Sequence, residues 1–293
     1  MSIDVFDKIK KSYPCMSKGH KRIADYILEN YDKASLMTAL KLGQSVGVSE
    51  STVVRFAMEL SYNGYPELQQ AINEAMRIKL TSVQRIEVAN MRMENKDILE
   101  EVLNSDIERI RKTLEQSSKD RFYNAVETIS KAETVYIIGS RSAEPLAQFL
   151  SYYMSLMCRD VRLLRTTGTS ELLQQLIYIN KNDAVIGISF PRYSVQTLNA
   201  LKYASNAGAS IVAVTDSEVS PIAELADYTL FAKSDMISFA DSLVAPLSLI
   251  NALIVALSVK KQDAVNNNFK MLEDIWDKYD VYKKSENGES SEL

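Results

Sequence analysis

The chain has 293 residues, a formal net charge of −4 and a 46% hydrophobic share. That fits two globular domains of about 150 residues each and argues against nucleic-acid binding by the whole surface. A single histidine, His20, and two distant cysteines, Cys15 and Cys158, exclude a His-rich metal site and a disulfide framework and leave a Ser-His-Asp triad only one imidazole to build on. No apolar run reaches the roughly 18 residues of a membrane helix, and the charged start MSIDVFDKIKKSY is unlike a signal peptide. No membrane partner, metal or cofactor is expected, and the cytoplasm is the expected compartment.

Residues 1–80 are expected as a domain of short helices, with Phe6, Ile9, Ile23, Tyr26 and Ile27 at three-to-four spacing. They hold 11 basic against 9 acidic residues, while the other 213 hold 23 against 29. Lys8, Lys10, Lys11, Lys18, Lys21 and Arg22 crowd the early helices. His20, in SKGHKRIADYI, is expected as a surface residue and at best a phosphate contact.

The stretch TALKLGQSVGVSESTVVRFAMEL, 38–60, carries the pattern of two crossing helices. The first holds Leu40 and Leu42, with Gly43 at a close crossing. Gly47 supplies the turn, Val48 plugs the core and Ser49 can cap the second helix. Val53, Phe56 and Leu60 then face inward, and Glu50, Ser51, Thr52 and Arg55 face outward. A helix-turn-helix needs this arrangement, because the first turns of its second helix meet base edges in the major groove. Lys41, Gln44 and Ser45 are placed for phosphate contacts, which position without specifying sequence. Whether Arg55 reads a guanine or holds a phosphate stays open.

Residues 81–127 read as a helical connector, softest near Asn90–Lys96, with one helix in 97–116. From Thr134 the texture changes. TVYIIG (134–139), VRLL (161–164), AVIGIS (184–189), SIVAVT (210–215) and YTLFA (228–232) read as buried strands. Helices are expected at 143–158, 170–178, 194–207 and 220–226, with a long apolar helix at 241–259. This alternation predicts a five-stranded parallel, doubly wound α/β domain over 128–260. A C-terminal helix and a disordered tail, SENGESSEL, follow in 261–293.

In such a sheet, ligands bind outside the carboxyl ends of strands. Two strand ends are rich in hydroxyls: GSRSAEPLA (139–147) and SFPRYSVQT (189–197). Ser140, Ser142, Ser189 and Ser194, with N–H groups of two helix starts, are candidates to surround a phosphate. Ser and Thr are also ordinary helix caps.

GVSESTVVRF, the run Gly64-Tyr65-Pro66-Glu67-Leu68 and the segments Thr215-Asp216-Ser217, Ser220-Pro221-Ile222-Ala223 and Ala226-Asp227 resemble the RpiR type of bacterial transcriptional regulator. The resemblance implies a helix-turn-helix joined to a sugar isomerase (SIS) domain that binds phosphosugars, and it implies Ser189 and Ser194 as ligand contacts. Arg141 stands where the first loop of such proteins usually has its second Gly, and Pro191-Arg192 replaces the Ser-Gly of the second. Two planar donors at those loops suit a phosphate or carboxylate.

Isomerisation needs a positioned base, and the only loop acids are Glu144 and Glu171. Asp235 and Asp241, beside ISFADS, are expected to cap or pair at a surface. The reading is therefore a sensor: a regulator that binds double-stranded operator DNA and a small phosphosugar, as a homodimer or homotetramer, and not an enzyme. The alternative is a sugar-phosphate isomerase with a helical accessory domain. The apolar helix 241–259 is expected either between subunits or within one core.

Overall fold

The computed structural model describes residues 5–79, 81–94, 96–165, 168–235 and 240–282. The expected tail, SENGESSEL, lies outside these.

Among the described residues seven α-helices come first: α1 (Val5–Ser12), α2 (Lys18–Glu29), α3 (Tyr31–Ala34), α4 (Ala39–Val46), α5 (Glu50–Glu59), α6 (Tyr65–Lys79) and α7 (Ser82–Met93). Side chains cap the starts of several. Ser17 accepts from the amide of His20, Thr38 from Lys41 and Ser49 from Thr52, satisfying amides that no helical carbonyl can reach. Phe6, Ile9, Ile23, Ile27, Leu42, Val53, Phe56, Leu68 and Ile72 bury together. Leu42 is fully buried, but Leu40 is 51% exposed, because only one of two residues so spaced can face the core.

The GYPEL run proves architectural. Gly64 sits at φ 140°, and the Tyr65 hydroxyl donates to the carbonyls of Ala34 (3.3 Å) and Met37 (2.9 Å). Burial pushes the Tyr65 pKa up to about 12. Val88 of α7 packs with Met76 and Tyr31, so α7 belongs physically to the helical unit. His20 is not the free surface residue expected. Its Nδ1 meets the Glu59 carboxylate, its ring stands edge-on to Phe56, and it ties α2 to the end of α5.

The second unit follows as α8 (Ile98–Gln116), α9 (Lys119–Lys131), β1 (Val135–Gly139), α10 (Glu144–Ser155), β2 (Val161–Leu163), α11 (Thr169–Gln174), β3 (Ala184–Ile188), α12 (Val195–Asn206), β4 (Ser210–Thr215), β5 (Tyr228–Phe231), α13 (Val244–Lys260) and α14 (Gln262–Lys278). The five strands are all parallel in the order β2-β1-β3-β4-β5, the doubly wound sheet expected. β1 and β3 are buried along their whole length, as central parallel strands are. One face packs on α9, α10 and α13 through Val126, Leu150, Leu253 and their neighbours. The other packs on α11 and α12 through Leu172, Ala200 and Leu201.

Two expectations change, and one open alternative closes. Residues 220–226 form only a short 3-10 turn, Ala223–Leu225, preceded by Pro221 and a Ser220 tied to Thr215 at 2.8 Å. Within 81–127, α9 is no free connector, because Ala125, Val126 and Ile129 join the α/β core. α13 buries Ala245, Leu249, Ile250, Leu253 and Leu257 in its own chain, which takes most of its apolar surface into one subunit's core. Among the described residues no single helix is long and apolar enough to cross a membrane.

Candidate functional site

The helix pair α4–α5 crosses as closely as its glycines allow. A Cβ on Gly43 would lie 2.8 Å from the Val48 carbonyl oxygen, so a side chain there would force the helices apart. Gly47 ends α4 at φ 70°, a left-handed cap that glycine adopts without steric cost. α5 therefore starts at a fixed angle. Glu50, Ser51 and Arg55 are exposed and Thr52 half-buried, and on α4 Lys41, Gln44 and Ser45 are exposed. Local bonds preset several of them. Arg55 Nε donates to the Ser51 carbonyl at 3.3 Å, the Ser49 hydroxyl lies 2.9 Å from Ser51 Oγ and 2.8 Å from Thr52 Oγ1, and Ser45 donates to the Lys41 carbonyl at 3.0 Å.

The second candidate lies where the sheet reverses its winding. β1 and β3 are neighbours, with Gly139 paired to Ile188, yet α10 and α12 leave them toward opposite faces. Loops that diverge this way bound the crevice that holds ligands in doubly wound sheets. Ser140 and Ser189, the next residue on each strand, are 6% and 2% exposed. Ser189 Oγ accepts the Ser194 amide at 3.2 Å, and Ser194 Oγ accepts the Thr197 amide at 3.4 Å, capping α12. Each hydroxyl thus spends a lone pair on the backbone and keeps its proton to donate, which suits an anion. Ser142, Arg141 and Arg192 are exposed. Arg141 holds φ 58°, a conformation that favours glycine. Among the described residues neither Glu144 nor Glu171 forms an ion pair with Arg192; Glu144 instead accepts from Gln148.

Sequence reading missed the supports of this loop. Thr197 is fully buried and joins Ser140 across the crevice at 3.2 Å. Thr215 Oγ1 donates to the Ser189 carbonyl at 2.7 Å, and the Tyr193 hydroxyl donates to the buried Asp216 at 2.8 Å. The TDS run had pointed to the place without its mechanism: β4 holds the β3 loop at both ends. Asp241 was also misjudged. It pairs with Arg85 of α7 at 3.1 Å, with side chains 9% and 5% exposed, not at a surface. A charged residue on the buried face of α7 was the available signal.

Two family models match in this order: a helix-turn-helix domain of the rpiR family over residues 3–78 and a SIS domain over 128–256. An HTH-type transcriptional regulator of Haemophilus influenzae is 25% identical over 261 residues, covering 86% of this chain and 90% of that protein. YfhH, an HTH-type transcriptional regulator of Escherichia coli K12, is 23% identical over 76% of this chain and 79% of its own length. The sugar isomerase domain of an RpiR transcription factor from Sphaerobacter thermophilus superposes with a TM-score of 0.58 at 28% identity, over 60% of this chain and 98% of that one. NanR of Vibrio vulnificus, solved with ManNAc-6P, shares the fold with a TM-score of 0.57 at 20% identity, over 92% and 98%. With the helix-turn-helix of that family at one end and the SIS domain at the other, the chain belongs to the RpiR family of HTH-type transcriptional regulators.

Proposed function

We propose that the protein binds double-stranded operator DNA through α4 and α5 and senses a phosphorylated sugar, or a related anionic metabolite, at the crevice between the β1 and β3 loops, without transforming it. Glu50, Ser51, Thr52 and Arg55 meet base edges, while Lys41, Gln44, Ser45 and Ser49 engage phosphates. It acts in the cytoplasm as a homodimer or homotetramer, because one helix-turn-helix reads few base pairs and symmetric half-sites multiply affinity.

The observation that carries the ligand reading is the trio of Ser140, Ser189 and Ser194 around the N-terminus of the twelve-residue helix α12, the last two with hydroxyl protons left to donate. The helix dipole adds to their attraction for an anion. Arg141 and Arg192 close over the ligand from opposite sides, and their mutual repulsion in its absence lets binding order the loops. A ligand shifts a conformational equilibrium only by its differential affinity, and this ordering supplies one. NanR, with the same fold over most of its length, was solved with ManNAc-6P, which fits a phosphosugar at this edge.

Sensing is favoured over isomerisation by the acid–base inventory. The one histidine is in α2, Glu144 is exposed one turn into α10, and Asp216 is occupied by Tyr193. Calorimetry against a panel of sugar phosphates, with wild type, Ser189→Ala and Arg192→Ala side by side, tests the reading. Loss of one hydrogen bond to a charged group predicts about tenfold weaker binding for Ser189→Ala. Equal binding by Arg192→Ala would sink the clamp, and interconversion of an aldose and a ketose phosphate would sink the sensor.

A further inference from the structure

α8 turns its polar side inward and its apolar side to water. Arg109 and Thr113 are each 7% exposed. Asp106 accepts from Arg109 at 3.2 Å and from Ser242 at 2.6 Å, and Thr113 Oγ1 accepts from the Lys233 amide at 2.9 Å. Meanwhile Leu99 (71%), Leu103 (54%), Ile107 (64%), Ile110 (38%) and Leu114 (75%) stand exposed. At about 100° per residue these five fall within roughly 80° of arc. Their steps of four, four, three and four are those of a two-helix seam. A contiguous apolar stripe of this kind in water marks an interaction surface.

We propose that α8 packs against α8 of a second copy, antiparallel, across a twofold axis near Ile107. This rests on the homo-oligomer reading above and names its surface. Charge sets the direction. On the open flank of the stripe, Glu100 follows Leu99 and Arg111 follows Ile110. Antiparallel pairing lays Leu99 over the partner's Leu114 and Leu103 over the partner's Ile110, and so brings Glu100 to the partner's Arg111 twice. Parallel pairing would put the two open flanks on opposite sides of the seam, so that Glu100 would meet no Arg111 of the partner. Arg111 is bonded within its helix to Glu108 at 2.8 Å and still keeps its side chain 61% exposed. An isologous contact of this kind closes at two copies and leaves no open edge for further growth.

The test uses the full chain carrying Cys15→Ser, since Cys15 is the exposed native cysteine and Cys158 is buried. Under mild oxidation Ile107→Cys should give a covalent dimer. Leu99→Cys and Leu114→Cys should each stay single alone and cross-link when mixed. Leu103→Glu with Ile107→Glu should raise the dimer dissociation constant about a hundredfold or more, because each copy then buries two charges at the seam. The monomer's circular dichroism should not change, both positions being exposed in the single chain. Cross-linking of Leu99→Cys with itself overturns the antiparallel seam. A wild type that sediments as a dimer while Ile107→Cys fails to link overturns the α8 surface and leaves the oligomer reading standing. A monomeric wild type overturns both.

Discussion

Replacing Asp241 by Asn should loosen the two units from each other. Asp241 stands just before α13, and both its oxygens accept from Arg85 Nη1, at 3.1 and 3.3 Å. Arg85 lies on α7, and α7 is fixed to the helical unit by Val88 against Met76 and by Gln84 bonding the Tyr31 hydroxyl at 3.4 Å. The pair therefore links the DNA-binding unit to the strand-end edge of the α/β unit, the same edge that carries the β1 and β3 loops. Opposite charges about 4 Å apart attract by about 4 kcal/mol at an effective dielectric near 20. Removing one member of a buried pair costs about 3–5 kcal/mol, because the other charge stays in the same dry site. Asn keeps the shape and one acceptor, so the lower end, about 3 kcal/mol, is expected. Guanidinium unfolding should be followed at once by Trp276 fluorescence, which reports only the α/β unit, and by helical circular dichroism. In wild type the two transitions should coincide. In Asp241→Asn a first part of the helical signal, that of α1–α7, should fall before Trp276 responds, and with Arg85→Met the double-mutant cycle should show coupling of about 1 kcal/mol or more. Additive effects, each below about 0.5 kcal/mol, would refute the link.

Arg55→Ala should weaken specific DNA binding by about 1–3 kcal/mol if Arg55 reads a base. If it holds a phosphate, gel shifts should show a uniform loss across sequences and a shallower salt slope. An unchanged shift would mean that α5 is not the reading helix. Gly43→Ala should destabilise the helical unit by about 1–3 kcal/mol despite alanine's helix preference, because its Cβ meets backbone at 2.8 Å; a stability gain in thermal melts would contradict the close crossing. Tyr65 titrates near 12 in the fold, raised by burial, against about 10 unfolded. Its stabilising share is complete below pH 10 and is lost as pH rises from 10 to 12. Tyr65→Phe should lack that slope and cost about 1–2 kcal/mol at neutral pH, measured by urea titration at each pH.

The sequence by itself determined what depends on near neighbours. A cap three residues before its amide, as at Ser49 and Ser194, is written locally, and so is the left-handed turn at Gly47. Apolar runs marked all five strands, most clearly β1 and β3, where burial on both faces leaves no polar alternation. The parallel order and the crevice could be expected from crossover handedness, and hydroxyls gathered at two strand ends singled out its lining. Tertiary structure decided what depends on residues far apart in the chain. Thr197 against Ser140, Thr215 against Ser189 and Arg85 against Asp241 are separated by 57, 26 and 156 positions, and no periodicity announces such pairs. The direction in which a helix turns its stripe is equally non-local. α8 reads as an ordinary amphipathic connector, yet the polar ends of the α13 entry loop claim Asp106 and Thr113. Its leucines are left to water because bonding partners elsewhere in the fold, not its own spacing, chose which face it buries.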